Sequence, residues 1–298
     1  MLKRIGLFLL TNLAILIVIS VILSIFNVRP YLTQAGIDYQ SLLIYASIIG
    51  FTGAFISLFL SKWMAKHAYS IRIITQPRSS NEQWLIQKVT HLAKQAQIGM
   101  PEVGIYDSPE PNAFATGWNK NNALLAVSTG LLQTMNENEL TGVLGHEVSH
   151  IANGDMVTMT LLQGVLNTFV IFFARIAAYF VSQFLSRNED SKEGINTLAY
   201  YGTAIVFEII FGILASLIVM AFSRWREFRA DRGSVKLTSQ QNMIAALERL
   251  KQYTEMPEDN RAPALAAFKI NRPSKLSSLL ASHPPLEQRI AALKNRVS

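Results

Sequence analysis

The chain has 298 residues, no cysteine and a formal net charge of +7; half of its residues are hydrophobic, only 16% are charged, and mean hydropathy is +0.25. So apolar a composition excludes an ordinary soluble domain and points to a membrane-embedded chain. Without cysteine there is no disulfide, no thiolate nucleophile and no Cys-type structural zinc site, and nucleic acid is a poor partner because Lys and Arg gather beside apolar runs rather than in a basic stripe interleaved with aromatics.

Four runs reach the roughly 20 apolar residues that a bilayer requires. Ile5 to Phe26 follows Lys3 and Arg4 and reads as an uncleaved signal anchor, being too long for a signal-peptide core and lacking a small-x-small cleavage site. Tyr39 to Leu60 comes next; the short turn Asn27-Val28-Arg29-Pro30 makes these two a helical hairpin. Leu161 to Leu185 and Leu198 to Phe222 form a second hairpin about the polar loop Ser186 to Gly194, interrupted by Gln163, Asn167, Arg175 and Glu208. Arg175 and Glu208 are symmetric about that loop, so an antiparallel hairpin sets them at similar depth, where a lone charge is costly and a pair is expected. Basic residues flank the ends that share one side: Lys3 and Arg4, then Lys62, Lys66, Arg72 and Arg78, then Arg224, Arg226, Arg229 and Arg232. The positive-inside rule therefore places both termini and all large polar segments in the cytoplasm.

The polar segments are two. In the first, residues 81–96 carry Trp84, Leu85, Val89, Leu92 and Ala93 on one face and predict an amphipathic helix. Val103 to Tyr106 predicts a strand, and Asn112 to Trp118 with Ala123 to Ser128, separated by Asn119-Lys120-Asn121-Asn122, predicts a hairpin. A helix follows, with Asn136 and Glu139 as a capping box and Asn153-Gly154 as its left-handed stop. In the second, Trp225 to Lys236 and Gln240 to Tyr253 predict helices, Glu255 to Pro263 a polar mobile loop, and Pro285 the opening of a last helix through Asn295. The expected organisation is a transmembrane hairpin (1–66), a first cytoplasmic part (67–156), a second hairpin (157–223) and a second cytoplasmic part (224–298). The fold class is an α-helical integral membrane protein with four transmembrane helices and an α+β domain built from the two cytoplasmic parts.

The residues that carry chemistry are Gly145-His146-Glu147-Val148-Ser149-His150. Positions i and i+4 share a helix face, so His146 and His150 can hold one zinc ion per chain while Glu147 reaches the water that attacks the substrate. A third ligand is needed. A metzincin would have Gly at 153 and His at 156; Asn153 and Met156 exclude it. A downstream glutamate remains, as in the gluzincin type, so the α+β domain is expected to be a gluzincin-type zinc metalloprotease; of Glu208, Glu227, Glu248 and Glu287, a closed second hairpin returns Glu227 to the same membrane face as His150, which favours it. Asp231, one turn on, can accept the spare N–H of a ligating histidine. His67 and His91 read as ordinary surface histidines.

The zinc helix, Glu227-Phe228-Arg229-Ala230-Asp231, Asn112-Ala113-Phe114-Ala115 and Ser282-His283-Pro284-Pro285 through Arg289-Ile290 together resemble the bacterial HtpX membrane metalloproteases, over essentially the whole chain. That family is similar to the endopeptidases that trim prenylated CAAX proteins. The resemblance implies a zinc endoprotease of the inner membrane that degrades misfolded membrane proteins under envelope stress without ATP. It makes His146, His150 and Glu227 ligands, Glu147 the base and Asp231 a support. It also places His283 near the metal, where a loop stiffened by Pro284-Pro285 could offer a donor to the oxyanion. Asn112 to Ala115 would take an extended substrate by β-addition. The expected partners are misfolded membrane-protein and polypeptide substrates and the lipid bilayer. Two alternatives stay open: a non-enzymatic membrane adaptor with the same fold, and the same chemistry directed at prenylated tails.

Overall fold

A computed structural model describes residues 17–25, 27, 30–33, 36–186, 197–255 and 282–295. Most of the first predicted span, the loop Ser186 to Gly194 after Ser186 and the loop Glu255 to Pro263 after Glu255 fall outside the described residues. The chain divides into two compact units, Met1–Ser57 with Met159–Val219 and Leu58–Thr158 with Met220–Ser298.

The first unit is helical. Residues 17–25 form α1. A two-residue antiparallel ribbon, β1 (Leu32–Thr33) and β2 (Gly36–Ile37), precedes α2 (Tyr39–Ala68); ladders this short carry no sequence period. The other helices are α6 (Asp155–Ser186) and α7 (Thr197–Leu237). Among the described residues three helices are long and apolar enough to cross a bilayer, Tyr39–Ala68, Asp155–Phe184 and Ala199–Leu237. Only 22%, 22% and 6% of their apolar windows are buried within the chain, so most of that surface needs lipid to cover it. Tyr31, Leu42, Ala178, Tyr200 and Ala204 form the internal contact of this unit. Arg175 Nη1 lies 2.9 Å from Glu208 Oε1, and its guanidinium covers the Tyr201 ring at 5.9 Å. The symmetric spacing about the loop thus becomes a cross-hairpin ion pair, which spares each helix an isolated charge.

The second unit is α+β. β3 (Arg72–Ile73), β4 (Glu102–Tyr106), β6 (Asn122–Ser128) and β5 (Ala113–Asn119) form one sheet in the order β3-β4-β6-β5. β4 and β6 pair in parallel and the other pairs are antiparallel. Leu124 to Val127 are all buried because β6 is central and covered on both faces, whereas β5 is an edge. α3 (Ser80–Gln95) is capped by Ser79 and buries Leu85, Val89, Leu92 and Ala93, the predicted stripe. α4 (Thr129–Thr134), which the sequence reading missed, is a short helix capped by Ser128. α5 (Glu137–Asn153) has the predicted capping box of Asn136 and Glu139, and it ends at Gly154 with φ 67°. Its Leu140, Val143, Leu144 and Val148 enter the main core with Leu85, Val89, Leu125 and Val127. α8 (Gln240–Glu255) and α9 (Leu286–Lys294) pack on each other through Met243, Leu247, Ile290 and Leu293. Pro285 is the residue before α9, where its missing N–H costs nothing.

One boundary differs from the sequence reading. The fourth span and the helix from Trp225 to Lys236 are a single 41-residue helix, α7. The change from apolar to charged residues near Arg224 alters the surroundings of the backbone but contains no Pro, Gly or Asn to stop it. Charge reversal tests the ion pair: Arg175→Glu and Glu208→Arg should each lower folded yield, and the double swap should recover much of it. Independent, additive losses in a membrane-extraction yield assay would refute a partnership.

Candidate active site

α5, α7 and α9 supply the site. α5 approaches α7 closely because the residues at the crossing are small. A Cβ on Gly145 would lie 2.8 Å from Ser234 Oγ and from Thr238 Cγ2, and one on Gly233 would lie 2.5 Å from Ser149 Oγ. Ser234 Oγ also donates to the Gly142 carbonyl at 2.8 Å. This crossing brings the one-turn-spaced pair Glu227 and Asp231 of α7 against the one-turn-spaced pair His146 and His150 of α5.

His146 Nε2 and His150 Nε2 are 3.1 Å apart. Glu227 Oε2 is 3.4 Å from the first, and Oε1 is 3.3 Å from the second. Three ligands in tetrahedral positions around zinc, at bond lengths near 2.0–2.1 Å, are separated by about 3.3 Å. The outer nitrogens are engaged as well: His146 Nδ1 lies 2.9 Å from Asp231 Oδ1, and His150 Nδ1 lies 2.6 Å from Asp155 Oδ2. A carboxylate can only accept, so each imidazole carries its proton on Nδ1 and turns the Nε2 lone pair inward. Two inward lone pairs and a carboxylate repel unless a cation sits between them, and the buried residues present therefore fit a zinc ion.

In the metal-free chain protons do this work. Burial alone would lower the His146 imidazole, but hydrogen bonds to Asp231 and Glu227 outweigh it and raise it to about 9. His150 is raised likewise, against burial, by Asp155 and Glu227. Arg289, 6% exposed, closes the far side of the site. Its Nε and Nη2 donate to the two oxygens of Asp231 at 2.8 and 2.6 Å, and its Nη1 is 3.4 Å from Glu227 Oε2. Burial disfavours its charge, but the bond to Asp231 prevails and holds the guanidinium ionised.

A cavity of about 180 Å³ opens beside these groups and is lined by Asn112, Ala113, His146, Glu147, Glu227 and His283 among others. Glu147, 9% exposed, thus faces the same space as the ligand cluster and the first residues of the edge strand. Phe114 and Ala115 continue along β5, half-buried. His283 lies at the rim, its side chain 62% exposed and its Nδ1 2.9 Å from Glu227 Oε2. The structure brings together His146, Glu147, His150, Glu227, Asp231 and His283. It leaves the other glutamates elsewhere: Glu208 with Arg175, Glu248 with Lys294 and Glu287 with Lys251. His67 Nδ1 bonds the Trp63 carbonyl at 2.8 Å, away from the site.

Two residues of the site went unassigned in the sequence reading. Asp155 sits just past the helix stop and could have been found by asking which carboxylate comes first after the second histidine. Arg289 stands in the closing motif that carries the family resemblance, but nothing local marked its role, because an arginine on a short amphipathic helix normally faces water.

The sequence profile of peptidase family M48 matches residues 79–297. The chain belongs to peptidase family M48, in its HtpX group. It is 53% identical to a "Protease HtpX homolog" of Methylacidiphilum infernorum over 99% of both chains. It is 54% identical to the "Protease HtpX" of Shewanella oneidensis over 99% of this chain and 100% of that one. A crystal structure of Ste24p from S. mikatae superposes with a TM-score of 0.69 at 20% identity, covering 98% of this chain; the chain spans 65% of the length of that protein, and the likeness is one of fold. A membrane metalloprotease is therefore the enzyme class.

Because a raised histidine pKa favours the protonated form in the fold, the His146 interactions stabilise the metal-free chain fully below about pH 6.5. That contribution is lost as pH rises through about 9. Zinc must displace the same proton, so its affinity should rise from pH 6 to pH 9 by up to about tenfold per pH unit for each proton released. Competitive titration against a chromogenic chelator checks this; a pH-independent affinity contradicts it. Asp155→Asn and Asp231→Asn should each weaken zinc by about 10–100-fold in the same titration.

Proposed function

We propose that the chain is a zinc-dependent endopeptidase that cleaves misfolded or damaged membrane proteins in envelope-stress quality control, without ATP. The observation that carries this reading is the convergence of His146 Nε2 and His150 Nε2, 3.1 Å apart, on the Glu227 carboxylate, whose Oε2 lies 3.4 Å from the first and Oε1 3.3 Å from the second, beside Glu147 and at one end of an edge strand. When bound there, zinc lowers the pKa of water toward about 7 and polarises the scissile carbonyl. In this proposal His146, His150 and Glu227 hold the ion, and Asp231 and Asp155 fix the two rings. Glu147 takes the proton of the attacking water and delivers it to the departing amine. His283 stands at the rim, able to donate to the oxygen that becomes negative, while Arg289 keeps Asp231 ionised and in place.

The substrate class follows from β5. Added to the free edge at Asn112 to Ala115, a polypeptide is gripped by main-chain hydrogen bonds, with little demand on its side chains. Such a site accepts chains already extended and rejects folded ones, which suits damaged proteins. Hydrolysis of a peptide bond already unfolded needs no nucleotide. The sequence resemblance points to the bacterial inner membrane. The basic residues flanking the spans favour a multi-pass topology with both termini and the site in the cytoplasm.

Substitution separates the roles. Glu147→Gln should keep one zinc per chain and lose casein cleavage by about 10²-fold or more, because the base goes and the ligands stay. Glu227→Ala should lose zinc, whereas Glu248→Ala and Glu287→Ala should retain it, since those carboxylates pair with Lys294 and Lys251. Metal analysis of the purified proteins with a casein digest, with and without chelator, reads all four; zinc retained at full stoichiometry in Glu227→Ala would overturn the ligand assignment.

A further inference from the structure

β5 and the end of α2 run side by side in opposite directions. At one end the Phe59 ring lies 5.6 Å from that of Trp118. Near the same end, Lys62 Nζ donates to Asn122 Oδ1 at 2.5 Å, at the start of β6, and to Glu102 Oε1 at 2.9 Å, at the start of β4; Lys66 also pairs with Glu102. At the other end the Tyr69 ring lies 5.3 Å from Phe114. From Phe59 to Tyr69 a helix advances about 15 Å, and from Trp118 back to Phe114 a strand covers about 13 Å. The two lengths agree, so β5 keeps step with the helix axis.

The two ends of β5 have different surroundings. The apolar run of α2 stops at Leu60 and is followed by Lys62 and Lys66, which marks the edge of the bilayer. Phe59, Trp63 and Trp118 are 57%, 43% and 40% exposed, a cluster of amphipathic and apolar rings at the level where membrane proteins place such residues. The opposite end of the strand, Asn112 and Ala113, lines the cavity with Glu147. Between these ends β5 bonds to β6 on one side, and among the described residues no strand takes the other side.

We propose that β5 is a guide leading an extended polypeptide from the bilayer surface to the catalytic groups, so that a membrane protein is cut at a set distance from where it leaves the membrane. The six residue steps from Trp118 to Asn112 give that distance as about 20 Å of extended chain. The strand thereby selects substrate segments tethered to a membrane over the interior of long free tails. This rests on the reading of the site as a peptidase.

The test uses the full zinc-loaded chain in liposomes with a single-span substrate carrying a long, repetitive polar tail, the cuts being mapped by mass spectrometry. Cuts should cluster about six residues from the end of the apolar run. When four residues are inserted directly after that run, the distance should hold, so that the cut moves four positions toward the membrane in the original tail numbering. Cuts that stay at the same original peptide bond, or spread evenly along the tail, overturn the guide. Casein digested in parallel separates the two claims: if casein is also untouched the peptidase reading fails, and if casein is cut while the membrane substrate shows no fixed distance, or no cut, the guide alone fails. Because the chain has no cysteine, labels can be placed singly. A spin label at Lys120→Cys should report the headgroup region and one at Glu110→Cys the aqueous phase; equal depth for both overturns the proposed orientation.

Discussion

Glu227 is 1% exposed, and a carboxylate that deep is tolerated only where polar or positive groups face it. Its surroundings meet that condition with the imidazoles of His146 and His150, the Arg289 guanidinium and, at the rim, the His283 ring. The same condition explains the carboxylates behind the histidines. Asp231 and Asp155 are each 1% exposed and each accept an imidazole N–H, and Asp231 is further held by two guanidinium bonds. The site is a set of mutually dependent charges, in which any member removed leaves another buried and unpaired.

The protein scaffold serves that charge set by rigid, close packing. Small residues at the crossing of α5 and α7 let two helices meet at a distance that ordinary side chains would prevent, and the Ser234 bond to the Gly142 carbonyl fixes their register. The single αL residue Gly154 turns the chain within one step from α5 into α6, which places Asp155 at the first turn of the new helix beside His150. α9 brings Arg289 from the far end of the chain, held by Ile290 and Leu293 against α8 and by ion pairs of Glu287 and Lys294 with it. The groups of the site, from residues 146 to 289, are thus assembled through helix contacts, with His283 on irregular chain.

The sheet supplies the other half of a peptidase. β6 is buried on both faces and anchors the layer, while β5 stays at the edge with its residues only half-buried. An open edge is normally an aggregation liability. Here it begins at the cavity, where the proposed substrate would pair with it.

The sequence alone was enough for whatever depends on local spacing or composition. The zinc helix with its capping box and glycine stop, the stripe of α3, the β5–β6 hairpin and three of the apolar spans follow from periods and punctuation that act within a few residues. The Arg175–Glu208 pair followed too, because a hairpin is symmetric about its loop. Glu227 was favoured over three other glutamates only through that same symmetry, and the geometry of the cluster needed the helices themselves. What only the tertiary structure decided are the contacts that no local period encodes: Arg289 reaching Asp231 across 58 positions, Asp155 behind His150 rather than facing water, and the alignment of β5 with α2. Burial of a charge depends on what surrounds it in three dimensions, and a short amphipathic helix carries no local mark of which of its polar residues will be enclosed.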